Sequence, residues 1–234
     1  MSTAFDMRLM HWPTVAEFAA YLQAFARPPW CQGITNHNTF HPNELEWRGV
    51  ASMTSMRSTY IAKGWTSGPN LFCVATCPNP ADKGIWQMTP ITHPGTHAGT
   101  CNRDHLGVEH CGDFNARPPS EAQYNLLLAV NHALLNRWGL LPTDVNVHNE
   151  CMPGRTCPGQ YLTGEQIRAD LAKPMTKAYR ARRIMVSQRQ EGGAPYWGEL
   201  APGEEVIVDK WYTNGYTHLQ DGRGFVLLAD LEAL

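Results

Sequence analysis

Apolar positions recur at helical spacing over residues 14–26, behind Pro13, and predict an amphipathic helix there. A short segment around Gly33-Ile34-Thr35-Asn36-His37 reads as a strand that ends in polar residues, and residues 50–63 as a second helix broken at Gly64. Leu71–Ala75 and Gly84–Met88 are short strands separated by the turn-forming Pro78-Asn79-Pro80, and Leu106–His110 is a further strand. The clearest pattern covers residues 120–138. Leu126, Leu127, Val130, Leu134 and Leu135 share a face, Ser120 is placed to cap the start after Pro118-Pro119, and Gly139 stops the end. A last helix over about 164–173 ends before Pro174. Strands and helices mixed in this order predict an α/β domain with helices packed on one sheet.

From about residue 176 the helical period disappears. Strand-like runs at Ala178–Gln188, Glu205–Lys210, Gly215–Leu219 and Gly224–Leu228 are split by glycine-bearing turns, which predicts a small β-barrel. The chain is therefore expected to hold two domains, residues 1–173 and 176–234, joined near Lys173-Pro174.

Composition narrows the function classes. Of 234 residues 43% are hydrophobic and 17% charged, enough for a packed core. A net charge of −2 gives no basic surplus, so no nucleic-acid partner is expected. The local run Tyr179-Arg180-Ala181-Arg182-Arg183 sits in an alternating stretch and reads as a solvated strand face. No apolar run approaches the ~20 residues of a membrane span, so no stable membrane insertion is expected. Met1–Asp6 lacks a charged segment followed by an apolar one, which predicts synthesis in the cytoplasm without a signal peptide. The seven cysteines form an odd set at irregular spacings, so free, partly buried thiols and one metal ligand are expected rather than a disulfide framework. A monomer is expected.

The ten histidines matter through their positions. His148 precedes Cys157 across a loop bearing Pro153 and Gly154, which can bring an imidazole and a thiolate onto one cation. His37, at the end of a predicted strand, is the best third donor. Two imidazoles and one thiolate would leave the fourth tetrahedral position of zinc open, the arrangement of a catalytic site. On spacing alone Cys151 and His41 compete as ligands. Cys73 and Cys77 form a second conceivable pair and read as ordinary thiols.

Five segments in order carry a resemblance. They are Ile34-Thr35-Asn36-His37-Asn38-Thr39, Gly68-Pro69-Asn70-Leu71-Phe72, Thr89-Pro90-Ile91-Thr92-His93 leading into His97-Ala98-Gly99, Leu106-Gly107-Val108-Glu109, and His148 through Arg155-Thr156-Cys157-Pro158-Gly159. Over about residues 30–172 the chain resembles the type-2 N-acetylmuramoyl-L-alanine amidases. That family includes phage lysozyme-type amidases, bacterial amidases that recycle muropeptides, and animal peptidoglycan recognition proteins. Many members have His where Asn70 stands and Lys where Arg155 stands.

The resemblance implies a mixed central sheet flanked by helices, zinc held by His37, His148 and Cys157, and peptidoglycan as substrate. It implies Glu109 as catalytic base, Arg155 as a positive charge beside the developing oxyanion, and His97 and Asn70 as substrate-binding residues. Arg cannot serve as a proton donor where Lys could. His41, His93, His105 and His110 receive no role.

Residues 176–234 are similar to the bacterial SH3-like modules of wall hydrolases. The matching features are Tyr179–Ser187, Tyr196-Trp197-Gly198-Glu199-Leu200, Pro202-Gly203-Glu204-Glu205-Val206, Trp211 and Asp221-Gly222-Arg223-Gly224-Phe225-Val226. Trp197, Trp211 and Tyr216 are candidates to grip glycan or peptide, although Trp211 reads better as barrel core. The whole reads as an endolysin-like enzyme that acts at the cell wall after release. The alternatives are a cytosolic recycling amidase and a non-catalytic recognition module.

Overall fold

The computed structural model describes residues 3–6, 8–173 and seven strand segments (177–181, 184–187, 196–200, 205–211, 216–219, 225–227 and 231–233). The chain divides into two compact units, Met1–Asp170 and Leu171–Leu234.

The first unit is built on a six-stranded mixed sheet. Its strands are β1 (Met10–Trp12), β2 (Gly33–Asn38), β3 (Leu71–Val74), β4 (Gly84–Gln87), β5 (His105–His110) and β6 (Val145–Val147). They lie in the order β1-β4-β3-β5-β2-β6. The pairs β3/β5, β5/β2 and β2/β6 are parallel, and β4 and β1 add an antiparallel edge. This matches the expected mixed sheet flanked by helices. Strands β2, β3 and β4 are buried along their whole length, as strands covered on both faces must be.

The helices are α1 (Val15–Leu22), α2 (Val50–Ala62), α3 (Glu121–Trp138), α4 (His148–Cys151) and α5 (Gly164–Leu171). Thr14 and Glu17 form a reciprocal capping box at the start of α1. The helix stops at Leu22, short of the expected end at residue 26. The Arg137 guanidinium of α3 takes the Leu22 and Gln23 carbonyls at 3.0 and 3.1 Å, and Pro28 follows closely in sequence. Helix α3 starts at Ser120, whose Oγ accepts the Gln123 N–H at 3.2 Å. It ends at Gly139, whose φ of 64° suits glycine. Strands β1 and β6 and helix α4 were not expected; segments of three or four residues are too short to show a period.

In-register pairing sets the two faces of the sheet. One carries Thr35 and His37 of β2, Gly107 and Glu109 of β5, and Phe72 of β3. On this side Phe72 and Trp86 join Phe5, Trp47, Met53 and Met88 in a buried cluster with α2. The other face meets α3 through a buried polar knot: Asn36 and Asn131 exchange two amide hydrogen bonds at 3.0 and 3.2 Å, and His110 Nε2 lies 2.8 Å from Asn36 Oδ1.

Cys101 and Cys151 form a disulfide, which corrects the expectation of free thiols. Fifty residues separate the two cysteines, so no local spacing announces the pair. Cys31, Cys73 and Cys111 are buried thiols, and Cys77 is half-buried. Among the described residues, no helix is long and apolar enough to cross a membrane.

The second unit contains a seven-stranded antiparallel sheet. Its strands are β7 (Lys177–Ala181), β8 (Ile184–Ser187), β9 (Tyr196–Leu200), β10 (Glu205–Trp211), β11 (Tyr216–Leu219), β12 (Phe225–Leu227) and β13 (Leu231–Ala233). They lie in the order β13-β7-β10-β11-β12-β8-β9, with Leu200, Val206, Val208, Leu219 and Val226 buried. The side chains of Trp197, Trp211 and Tyr216 lie outside the described residues, as do Pro174, Pro202–Glu204 and Asp221–Gly224.

Candidate metal centre and catalytic pocket

Three parallel strands deliver the site from their carboxyl ends, where open α/β sheets place their ligands. Strand β2 presents His37, β5 presents Glu109 directly opposite it, and β6 runs straight into His148 at the start of α4. The loop after α4 returns Cys157 to the same place. Its carbonyl accepts the Asn149 N–H of α4 at 3.0 Å, and its Sγ accepts the Asn38 N–H of β2 at 3.4 Å.

The ligand atoms of His37, His148 and Cys157 all lie within 4.8 Å of one another and form a group that can hold a metal ion. His37 Nδ1 is 3.1 Å from His148 Nδ1 and 3.6 Å from Cys157 Sγ. With Zn–N near 2.0–2.1 Å and Zn–S near 2.3 Å, a tetrahedral zinc would set its N···N and N···S edges at about 3.3 and 3.6 Å. The donor set therefore fits zinc in its chemistry and in both spacings measured from His37. Burial lowers the proton affinity of His37 and His148, with the neighbouring histidines adding to it at His37 and Arg155 at His148. Burial, followed by the charge of Glu109, pushes the Cys157 thiol up, so a thiolate there calls for a cation.

A pocket of about 420 Å³ opens over these donors, lined among others by Phe40, Tyr60, Trp65, His97, Glu109 and Thr156. A groove of about 560 Å³ shares Asn38, Tyr60 and Glu109 with it and continues along Ser52, Ser55 and Thr59 of α2. Glu109 is only 8% exposed, and its Oε2 has no hydrogen-bond partner among the described residues. Burial raises its carboxyl to about 8, well above the ordinary value of 4.5.

The other three expected site residues are placed as follows. Asn70, expected at the substrate, is fully buried. Its amide donates to the carbonyls of Pro90 and His93 at 3.1 and 2.9 Å, and its Oδ1 accepts the Gly107 N–H at 3.1 Å. It stitches the 89–93 loop to β5 and does not line the pocket. His97 does line the pocket, yet both ring nitrogens are taken by the protein: Nδ1 lies 3.0 Å from His37 Nε2, and Nε2 lies 3.0 Å from the His105 carbonyl. Arg155 is exposed on the turn before Cys157 and is not among the pocket-lining residues; its charge is felt at His148.

The rival ligands fall away as well. Cys151 is in the disulfide, and His41 pairs with Glu46 at 2.8 Å on the surface.

Sequence reasoning also missed residues. Tyr60 lies between pocket and groove and senses the charges of both Glu109 and Cys157. Burial raises its hydroxyl pKa, so it stays a proton donor. The readable signal was its position on the hydroxyl-rich face of α2. Arg168 of α5 grips Glu150 of α4 through two contacts at 2.8 and 2.9 Å and also takes the Val145 carbonyl, which holds the base of the His148 turn.

The sequence profile of the N-acetylmuramoyl-L-alanine amidases (Amidase_2) matches residues 26–160. No curated protein matches. Among solved structures, the chain is similar to the endolysin N-acetylmuramoyl-L-alanine amidase LysCS from Clostridium intestinale, at 22% identity over 61% of this chain and 84% of that one, with a TM-score of 0.49. A mutant endolysin from Bacillus subtilis gives 21% identity over 63% and 87%, with a TM-score of 0.45. A Drosophila PGRP-LB mutant in complex with tracheal cytotoxin gives 16% over 68% and 83%, with a TM-score of 0.45. Since the profile spans more than half of the chain and its segment contains every residue of the pocket described above, the protein belongs to the N-acetylmuramoyl-L-alanine amidase family.

Proposed function

We propose that this protein is a zinc-dependent hydrolase of the amide between N-acetylmuramic acid and L-alanine in peptidoglycan. The observation that carries the reading is the convergence of His37, His148 and Cys157 within 4.8 Å, with His37 Nδ1 at 3.1 Å from His148 Nδ1 and 3.6 Å from Cys157 Sγ, beside the buried carboxyl of Glu109. Zinc, when bound, supplies a Lewis acid that polarises the amide carbonyl and makes water acidic near neutral pH.

The remaining chemistry falls to this chain's own residues. Glu109 accepts a proton from the attacking water as the new C–O bond forms, then returns it to the L-alanine nitrogen as the C–N bond breaks. Its buried carboxyl suits that exchange, because a proton affinity near the working pH favours both uptake and release. Tyr60, protonated and lining the pocket, is the neutral donor assigned to the carbonyl oxygen where charge develops. Arg155 contributes long-range positive charge rather than a direct contact.

In this reading the protein works as an endolysin-like enzyme, made in the cytoplasm and acting at the bacterial wall as a monomer. The second unit serves as an SH3-like wall-binding module that raises the local concentration of a polymeric substrate. Its support is the run of glycine-punctuated strands and their antiparallel sheet.

Digestion of purified sacculi followed by mass spectrometry tests the proposal. Released peptides should carry free N-terminal L-alanine, and a zinc chelator should stop their release. Cleavage at another bond, or release that ignores the chelator, would overturn it. Binding without any cleavage would instead identify a recognition module.

A further inference from the structure

The two ring nitrogens of His97 fix the direction of a proton relay. The carbonyl oxygen of His105 can only accept, so the hydrogen of a neutral His97 sits on Nε2, 3.0 Å from that oxygen. His97 Nδ1 is then an acceptor, and the hydrogen bond across 3.0 Å must be donated by His37 Nε2. This leaves the lone pair of His37 on Nδ1, the atom that faces His148 Nδ1 and Cys157 Sγ.

The seat for this relay is built into the backbone. A Cβ on Gly107 would lie 2.6 Å from His97 Cγ and 2.7 Å from His97 Cδ2, so only glycine lets the imidazole rest on β5. The loop that carries His97 is fixed from its other end: Asn102 Oδ1 accepts the N–H groups of both His97 and Ala98 at 2.8 and 2.6 Å.

We infer that His97 is a positioning residue of the metal centre, holding the His37 ring by a hydrogen bond relayed from the His105 carbonyl on the seat that Gly107 provides. The inference rests on the metal-dependent reading above. It moves His97 from the substrate to the metal. Groups of this kind orient a ligand imidazole and fix its tautomer, and their loss weakens metal affinity about 10- to 100-fold.

Metal titration of the full chain, stripped by chelation, tests it with zinc and cobalt(II) alone as probes. The wild-type chain should take up one ion. His97→Phe keeps a ring on the glycine seat but no acceptor, and should bind about 10- to 100-fold more weakly. His97→Asn returns an acceptor near the Nδ1 position and should recover part of that loss. Gly107→Ala, which touches no ligand, should weaken binding as His97→Phe does.

Nitrogen-15 NMR of the metal-free wild-type chain adds a measurement that needs no variant. His37 should carry its proton on Nε2, His97 should carry its own on Nε2, and a coupling should cross the hydrogen bond between them. A wild-type chain that binds one ion while His97→Phe binds it equally well overturns this inference alone, as does a proton on Nδ1 of either ring. A wild-type chain that takes up neither ion overturns the metal-centred reading and the inference together.

Discussion

The two imidazoles of the site are held by opposite means. His37 comes from β2, a fully buried strand of the mixed sheet, and its outer nitrogen is braced by His97. His148 sits half-buried on the four-residue helix α4, and its outer nitrogen, Nε2, has no hydrogen-bond partner among the described residues. Its orientation depends instead on what restrains α4: the Cys101–Cys151 disulfide, the Thr100 hydroxyl on the Cys151 carbonyl at 3.1 Å, and the Arg168–Glu150 pair. A ligand rooted in a sheet can be set by one hydrogen bond because its backbone is already fixed. A ligand on a single turn needs covalent and ionic ties, because four residues are too few to form a self-supporting helix.

The contrast can be broken at its hinge, where both halves meet. Cys157→Ser removes the thiolate that closes the ligand set, and is expected to abolish both stable zinc uptake and sacculus hydrolysis; metal analysis beside a turbidity assay checks this. Glu109→Gln leaves both halves in place. It should lower kcat by about 10²- to 10⁴-fold with zinc content unchanged, and full activity in this variant would move the base role to another residue.

The same variant has a signature in the metal-free protein. The folded-state carboxyl of Glu109, at about 8, lies above its ordinary 4.5, so the folded protein holds that proton more tightly than the unfolded chain does. Its contribution to stability is complete below pH 4.5 and is lost as pH rises towards 8, a change on the order of a few kcal/mol. Denaturant melts across that window should slope downward in the wild-type chain and flatten in Glu109→Gln.

Opening the disulfide, which ties α4 to the segment that carries Asn102, should affect the His148 half more than the His37 half. A Cys101→Ala, Cys151→Ala pair is expected to cost about 2–4 kcal/mol of stability and to speed metal release. The His37–His97 hydrogen bond, read by NMR, should survive. The smallest effect is expected from Thr100→Val, which deletes one hydroxyl contact to α4 and should cost about 0.5–1.5 kcal/mol, visible as a modest drop in melting temperature.

How much of this was legible depended on the range of the interaction involved. The α3 helix could be read with both of its caps, because Ser120, the Leu126–Leu135 face and Gly139 act within a few residues of one another. The metal donors His37, His148 and Cys157 could be picked from ordered motifs. Their convergence could not be read from spacing, since Cys151 and His41 competed until the structure placed one in a disulfide and the other against Glu46. Asn70 and His97 looked like substrate contacts because polar side chains in a motif suggest them, and of the two only His97 lines the pocket. Each instead satisfies groups within the protein, as buried polar atoms must.

The amino-acid sequence by itself determined the order of β2 to β5 and of α1, α2, α3 and α5 in the first unit, the change of texture near residue 176, and the set of histidines, cysteine and glutamate from which a hydrolytic centre can be made. The first two follow from local periodicity, and the residue set from ordered motifs that resemble those of a known family. Tertiary structure alone decided which nitrogen of His37 faces its partners, that Cys101 meets Cys151, that Arg155 is exposed on the turn before Cys157 and that Tyr60 lines the pocket. Those facts depend on the register of β2 against β5 and on the packing of segments 50 or more residues apart in the chain. No local pattern encodes the distance between groups so far apart, because only the assembled sheet brings them within reach.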